Sequence, residues 1–125
     1  MNKDGLFAFY GTLRQGMENH LVYQHGMKLL QTVTLAGYKL YSLGEYPYAV
    51  FSGQSHHTII TEVYHVHDSQ VALAIHDMEI EAGYYYQEIE VGSQQVGIYL
   101  FDVAGLHDDE IPSGDWVRHV SQIDF

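Results

Sequence analysis

Between Asp68 and Gly83 the chain carries its one clear helical repeat, and the segments on either side have the character of strands. Val71, Ala74, Ile75 and Met78 recur at the spacing of a single helical face. Asp68 stands just ahead of them, where a carboxylate accepts the unpaired backbone N–H groups of a first turn. Gly83 closes the segment. The apolar stripe of such a helix needs a partner surface, so strands must supply most of the fold.

Those strands are read from β-branched and aromatic runs bounded by turn residues. Gly5 to Tyr10 predicts a short buried strand that ends at Gly11. Thr32 to Leu43 predicts a strand bent or bulged at Gly37. Tyr46-Pro47 forces an extended or turned backbone ahead of a brief strand over Tyr48 to Phe51. Thr58 to Val66 is a strong strand pattern. Tyr85 to Val91 and Gln95 to Val103 form a hairpin across Gly92-Ser93-Gln94. Met17 to Leu30 predicts a short, interrupted helix, and Ser113 to Trp116 a loop or single turn. The expectation is one α+β domain over residues 1–125. Its mixed sheet would curl or close into a small β-barrel, with the helices outside.

Composition narrows the function. Apolar residues make up 46% and charged residues 17%, which is too apolar for disorder. Five Lys and Arg against 16 Asp and Glu give a net charge of −11, so phosphate backbones and anionic lipid heads are repelled. Neither nucleic acid nor a membrane is an expected partner. There is no Cys, hence no disulfide, thiolate nucleophile or Cys-based zinc site. Lys3-Asp4 followed by an apolar stretch that stops at Gly11 does not read as a signal peptide, and no apolar run is long enough to span a bilayer. A soluble, cytoplasmic protein is the expectation.

Three constellations can carry chemistry. In the first, Phe9 to Gly16, a buried strand runs into Gly11, Thr12, Leu13 and Arg14. Gly11 lets a ligand approach the backbone, and successive N–H groups in such a turn can cradle an anion. The Lys and the length of a nucleotide P-loop are missing, and an ordinary strand-ending turn is the plainer reading. In the second, Glu79 lies on the border of the buried helix face. Partial desolvation there would raise its pKa and suit it to general acid–base work; a surface residue at a helix end is the alternative. The third is the set of nine His, with His65 and His67 on one strand face. Without further ligands nearby, a metal site is disfavoured and no cofactor is expected. Serine-hydrolase and zinc-protease motifs are absent.

Tyr10-Gly11-Thr12-Leu13-Arg14 resembles the signature of the gamma-glutamylcyclotransferase-like family. The resemblance continues through Leu40 to Gly44, Tyr46-Pro47, Glu62-Val63-Tyr64, Ile75 to Glu79 and Ser113 to Trp116, in order along most of the chain. The last block is similar to the tail of the small bacterial members. This resemblance implies a small mixed β-barrel with flanking helices. It also implies intramolecular aminolysis, in which a γ-glutamyl group closes to 5-oxoproline and releases an amine. In that reading Tyr10, Gly11, Thr12 and Leu13 hold the substrate's α-carboxylate through backbone N–H groups, and Glu79 is the catalytic carboxylate. The partner would be a small γ-glutamyl compound, with no metal or cofactor. Two other readings stay open: a non-catalytic member of the fold binding a carboxylated ligand or a protein, and a His-rich divalent-metal binder.

Overall fold

The computed structural model describes residues 4–122. Its strands divide between two sheets. The larger contains β1 (Leu6–Phe9), β2 (Met27–Ala36), β5 (Thr58–Val66), β6 (Tyr85–Val91) and β7 (Gln94–Leu100), in the order β2-β5-β1-β7-β6. The smaller contains β3 (Tyr38–Ser42), β4 (Pro47–Phe51) and the two-residue β8 (Asp109–Glu110), in the order β4-β3-β8. Helices α1 (Glu18–Tyr23), α2 (Ser69–Glu81) and α3 (Trp116–Gln122) complete it.

β1 is the central strand, antiparallel to β5 and parallel to β7. All four of its residues are buried. Successive side chains point to opposite faces of a strand, and the core is divided accordingly. Leu6, Ala8 and Tyr10 join Ile59, Val63, Val96, Ile98 and Leu100 in one apolar cluster, with Leu40 and Ala49 of the smaller sheet and Trp116. Phe7 and Phe9 join a second cluster with Tyr64, Val66, Tyr99 and the α2 residues Val71 and Ile75. The larger sheet is therefore covered on one face by the smaller sheet and on the other by α2.

The mixed α+β architecture is the expected one, but the sheet does not close into a barrel. At Gly37 (φ 95°) the chain leaves the larger sheet for the smaller, so β2 pairs with β5 while β3 pairs with β4. The residues read as one bent strand are two strands of different sheets. A backbone bond from Phe101 N–H to the Ala49 carbonyl (3.0 Å) ties the sheets together just beyond β7.

Two other expectations change. The segment from Met17 is helical only to Gly26, as α1 and a short 3-10 turn, and β2 begins at Met27. The long antiparallel pairing with β5, Met27 opposite Val66 through Ala36 opposite Thr58, overrides the local pattern. The C-terminal segment is a helix from Trp116, with Asp115 Oδ1 accepting the Arg118 N–H at 3.2 Å. At α2, the Asp68 side chain accepts the N–H groups of Gln70 and Val71, as the sequence predicts.

Candidate active site

A cavity of about 300 Å3 opens where three segments converge: the loop after β1, the Tyr46-Pro47 entry to β4 and the C-terminal end of α2. It brings together Tyr10, Gly11, Thr12 and Leu13 with Glu79, all five of the residues singled out from the sequence.

The loop is built by its carbonyls. Gly11 O accepts the Arg14 N–H (3.0 Å), and Thr12 O accepts the N–H groups of Asn19 and His20 (3.1 Å each). Asn19 Nδ2 also donates to Thr12 Oγ1 at 2.7 Å. None of these bonds uses the N–H of Gly11, Thr12 or Leu13. Arg14, the basic residue of the motif, is turned away and buried. Its Nε donates to Glu62 (3.0 Å) and its Nη1 to Asp115 (2.8 Å), which pins the loop to β5 and to the start of α3. Glu62 further accepts the Gln15 N–H and the Tyr64 hydroxyl, both at 2.7 Å. The bond and charge of Arg14, with the Arg118 N–H, hold the Asp115 carboxyl low against the opposing effect of burial.

The glycine has a packing role that sequence reasoning did not supply. A Cβ on Gly11 would lie 2.9 Å from both Cγ and Cδ of Pro47. The bare backbone at residue 11 is demanded first by this proline, whatever ligand approaches the other side. Tyr10 also departs from a simple binding role. Its hydroxyl donates to the Tyr99 carbonyl (2.6 Å) and accepts the Ala49 N–H (3.0 Å), so it fastens β1 to both sheets.

Glu79 is placed by the end of α2. Gly83 takes a left-handed conformation (φ 103°), its N–H bonds to the Ile80 carbonyl (3.1 Å) and the Tyr84 N–H to the Glu79 carbonyl (3.1 Å). This is a Schellman closure, which satisfies the last carbonyls of a helix. Burial pushes the Glu79 carboxyl from an ordinary value of 4.5 up to about 7. Its carboxylate takes part in no hydrogen bond or ion pair among the described residues. No half-buried or buried residue among them has a sealed, unpartnered side-chain oxygen, so the Glu79 oxygens open onto the cavity. Tyr84 donates its hydroxyl to the Pro47 carbonyl. Burial, and then the nearby Glu79 charge, push the Tyr84 and Tyr99 phenols above their usual range, which keeps both neutral. The Tyr99 hydroxyl is within hydrogen-bond distance of His76 Nδ1 (2.8 Å).

Pro47, Tyr84, Tyr99, Asn19, Glu18 and Glu45 line the cavity and were not identified as site residues from the sequence. Tyr46-Pro47 signals a turn, but nothing local says that this turn meets Gly11. His65 and His67 are neighbours, with ring centroids 5.9 Å apart, and lie outside the cavity lining. Among the described residues no three His, Asp or Glu side chains are grouped to hold a metal. No helix among them is long and apolar enough to cross a membrane.

Comparison with known proteins points to one family and to its fold. The family model described as "Gamma-glutamyl cyclotransferase, AIG2-like" matches residues 7–118. A protein of Vibrio cholerae serotype O1 named "Putative gamma-glutamylcyclotransferase" is 35% identical over 117 residues, covering 92% of this chain and 97% of its own. The crystal structure of an uncharacterized protein from Pyrococcus horikoshii superposes with a TM-score of 0.78 at 30% identity, covering 94% of this chain and 93% of that one. An aig2-like protein of Mus musculus shares the fold, with a TM-score of 0.66 at 22% identity over 82% of this chain and 80% of that one.

Proposed function

The chain belongs to the gamma-glutamyl cyclotransferase, AIG2-like family, and from that premise we propose that it cyclises the γ-glutamyl group of a small γ-glutamyl amine to 5-oxoproline and releases the amine. The observation that carries this reading is Glu79: a carboxyl with no partner among the described residues, pushed up to about 7 by burial, in the cavity that Gly11, Thr12 and Leu13 also line.

In this reading the substrate's α-carboxylate rests on the N–H groups of Gly11, Thr12 and Leu13, since no Lys or Arg lines the cavity. Ionised Glu79 takes a proton from the α-ammonium. The freed amine attacks the γ-carbonyl carbon; Glu79 returns its proton to the leaving nitrogen and takes the second proton from the ring nitrogen, the bond to the leaving nitrogen breaks as the ring carbonyl reforms, and the amine departs with that second proton as an ammonium. No water is consumed. A carboxyl near 7 is suited to both halves of this exchange at neutral pH. Nucleophile and electrophile sit in one molecule, so holding the substrate folded supplies much of the acceleration, and the chemistry asks for no cofactor.

The test is release of 5-oxoproline from a panel of γ-glutamyl amides, alongside the same amides acylated on the α-amine. Cyclisation requires that amine to be free, so the acylated compounds should be inert. Equal cleavage of both sets would identify hydrolysis by water instead.

A further inference from the structure

His76 precedes Glu79 on α2 by three residues, a spacing at which side chains are neighbours on a helix. It is not part of the cavity wall, yet it reaches that wall through Tyr99: its Nδ1 and the Tyr99 hydroxyl are 2.8 Å apart. Neighbouring rings hold the pair. His76 meets Tyr86 edge-on with centroids 6.1 Å apart, and Tyr86 meets Tyr99 at 5.5 Å. β7 makes room for the Tyr86 ring with Gly97, where a Cβ would lie 2.6 Å from Tyr86 Cε1. Phe7 stacks against Tyr99 (6.2 Å), and the Tyr99 carbonyl accepts the Tyr10 hydroxyl. Ring and backbone of Tyr99 are thus fixed, and the direction of its hydroxyl proton is what remains to be set.

Three other side-chain donors of the wall are committed: Tyr84 donates to the Pro47 carbonyl, Tyr10 to the Tyr99 carbonyl, and Asn19 Nδ2 to Thr12 Oγ1. Tyr46 is exposed at the rim. In the cyclotransferase reading the loop N–H groups take the α-carboxylate, and Thr12 belongs to that loop. Ring closure turns the γ-carbonyl oxygen into an oxyanion, which needs a donor of its own. The Tyr99 phenol stays neutral and lies near enough to Glu79 to feel its charge. We propose that the Tyr99 hydroxyl donates to the γ-carbonyl oxygen as the ring closes, and that His76 is the positioning residue that directs it there. With the imidazole proton on Nδ1, His76 donates to the phenol oxygen, and the phenol's own proton is given to the substrate. With that proton on Nε2 instead, Nδ1 would accept from the phenol and draw the donor away. Tyr99 keeps its proton throughout, and the proton transfers stay with Glu79.

The inference rests on the cyclotransferase reading, and the experiment separates the two. With a γ-glutamyl amide that the wild type cyclises, Tyr99→Phe should lower kcat by roughly 10²-fold, the usual loss for one oxyanion donor. KM should hardly move, because the bond is made only in the transition state. His76→Leu should lower kcat by a smaller factor, roughly tenfold, and should have no further effect in the Tyr99→Phe protein, since it acts through that hydroxyl. His76→Asn, whose amide can donate from the place of Nδ1, should restore most of the rate. Nitrogen NMR of the isotope-labelled wild type at alkaline pH should find the His76 proton on Nδ1, a preference that Tyr99→Phe should abolish. The wild-type spectrum needs no variant, so it decides even if a substitution unfolds the chain. Unchanged kcat in Tyr99→Phe, equal losses from His76→Leu with and without the Tyr99 hydroxyl, or a wild-type His76 proton on Nε2 each overturns the inference and leaves the cyclotransferase reading standing. If the wild type yields no 5-oxoproline from any amide, that reading fails and the inference falls with it.

Discussion

The amide of Tyr84 donates to the carbonyl of Glu79 at 3.1 Å, so the backbone bond that ends α2 also sets the spacing of two side chains on the cavity wall. The glycine between them makes this closure feasible. A Cβ at Gly83 would meet only ordinary contact, with Phe101 Cζ at 3.6 Å, but would have to adopt φ 103°. Gly83→Ala should therefore cost about 1–2 kcal/mol through conformation alone. It should also lower kcat by moving Tyr84 relative to Glu79. Urea melts and steady-state kinetics check both; an unchanged kcat in a destabilised variant would separate the helix end from catalysis.

Glu79→Gln removes the titrating group at nearly constant shape. It should lower kcat by roughly 10²- to 10⁴-fold, the usual contribution of a general acid–base group, with KM largely kept. The wild-type rate should rise with pH through about 7, where burial places this carboxyl, and the variant's residual rate should lack that limb. A variant that turns over at the wild-type rate would remove Glu79 from the mechanism.

The same substitution makes a prediction about stability. The folded-state value of about 7 lies above the ordinary 4.5, so protonated Glu79 favours the folded chain. That contribution is full below about pH 4.5 and is lost as pH rises through 7. Glu79→Gln should therefore be more stable than the wild type at pH 8.5, by up to about 3 kcal/mol, and should lose that advantage near pH 4. Paired denaturation curves at the two pH values measure it, and a pH-independent difference would contradict a buried carboxyl.

Gly11→Ala tests the contact with Pro47. The new methyl would start 2.9 Å from two ring carbons, so the ring and the loop must separate. Overpacking of this kind costs roughly 1–3 kcal/mol. Because Pro47 also accepts the Tyr84 hydroxyl, the cavity should deform and KM should rise. Thermal melts together with KM read the two effects, and no change in either would show that the loop gives way freely.

Arg14→Met strips Glu62 of its ionic partner while leaving it buried. Removing one member of a buried pair costs roughly 3–5 kcal/mol. Replacing Glu62 by Gln in the same protein should recover part of that loss, a non-additivity that a double-mutant cycle measures. Additive effects would mean that Arg14 acts through packing instead.

The parts of this molecule that were legible in the sequence are those whose signal is local. Thr58–Val66 and Tyr85–Val91 have the bounds that their β-branched and aromatic pattern indicates, and Asp68 caps α2 because a cap is decided within one turn. The illegible parts depend on distant partners. Met27, Leu29 and Leu30 fit the end of a helix as well as a strand, and only pairing with β5 decides between them. Gly37 reads as a bend whether or not the strand beyond it changes sheets. The same holds at the site. Glu79 was readable from its position on the helix face, whereas Pro47, Tyr84 and Tyr99 reach the cavity through a turn, a helix end and a strand whose meeting no short pattern encodes. Arg14 was read with the loop's chemistry, yet its partners are 48 and 101 residues away.

The central place of β1 has a consequence for how the protein comes into being. The strand that carries the signature loop leaves the ribosome ahead of its neighbours β5 and β7, which begin at Thr58 and Gln94, and the partner of Arg14 at Asp115 is later still. Contacts so distant in sequence form slowly and late. During synthesis the apolar run Leu6–Phe9 waits for both its neighbours, in need of protection from aggregation, until β7 has been made. The motif is thus made well before the strands that let it work, and a nascent chain halted after β6 would hold most of the cavity's residues without having a cavity.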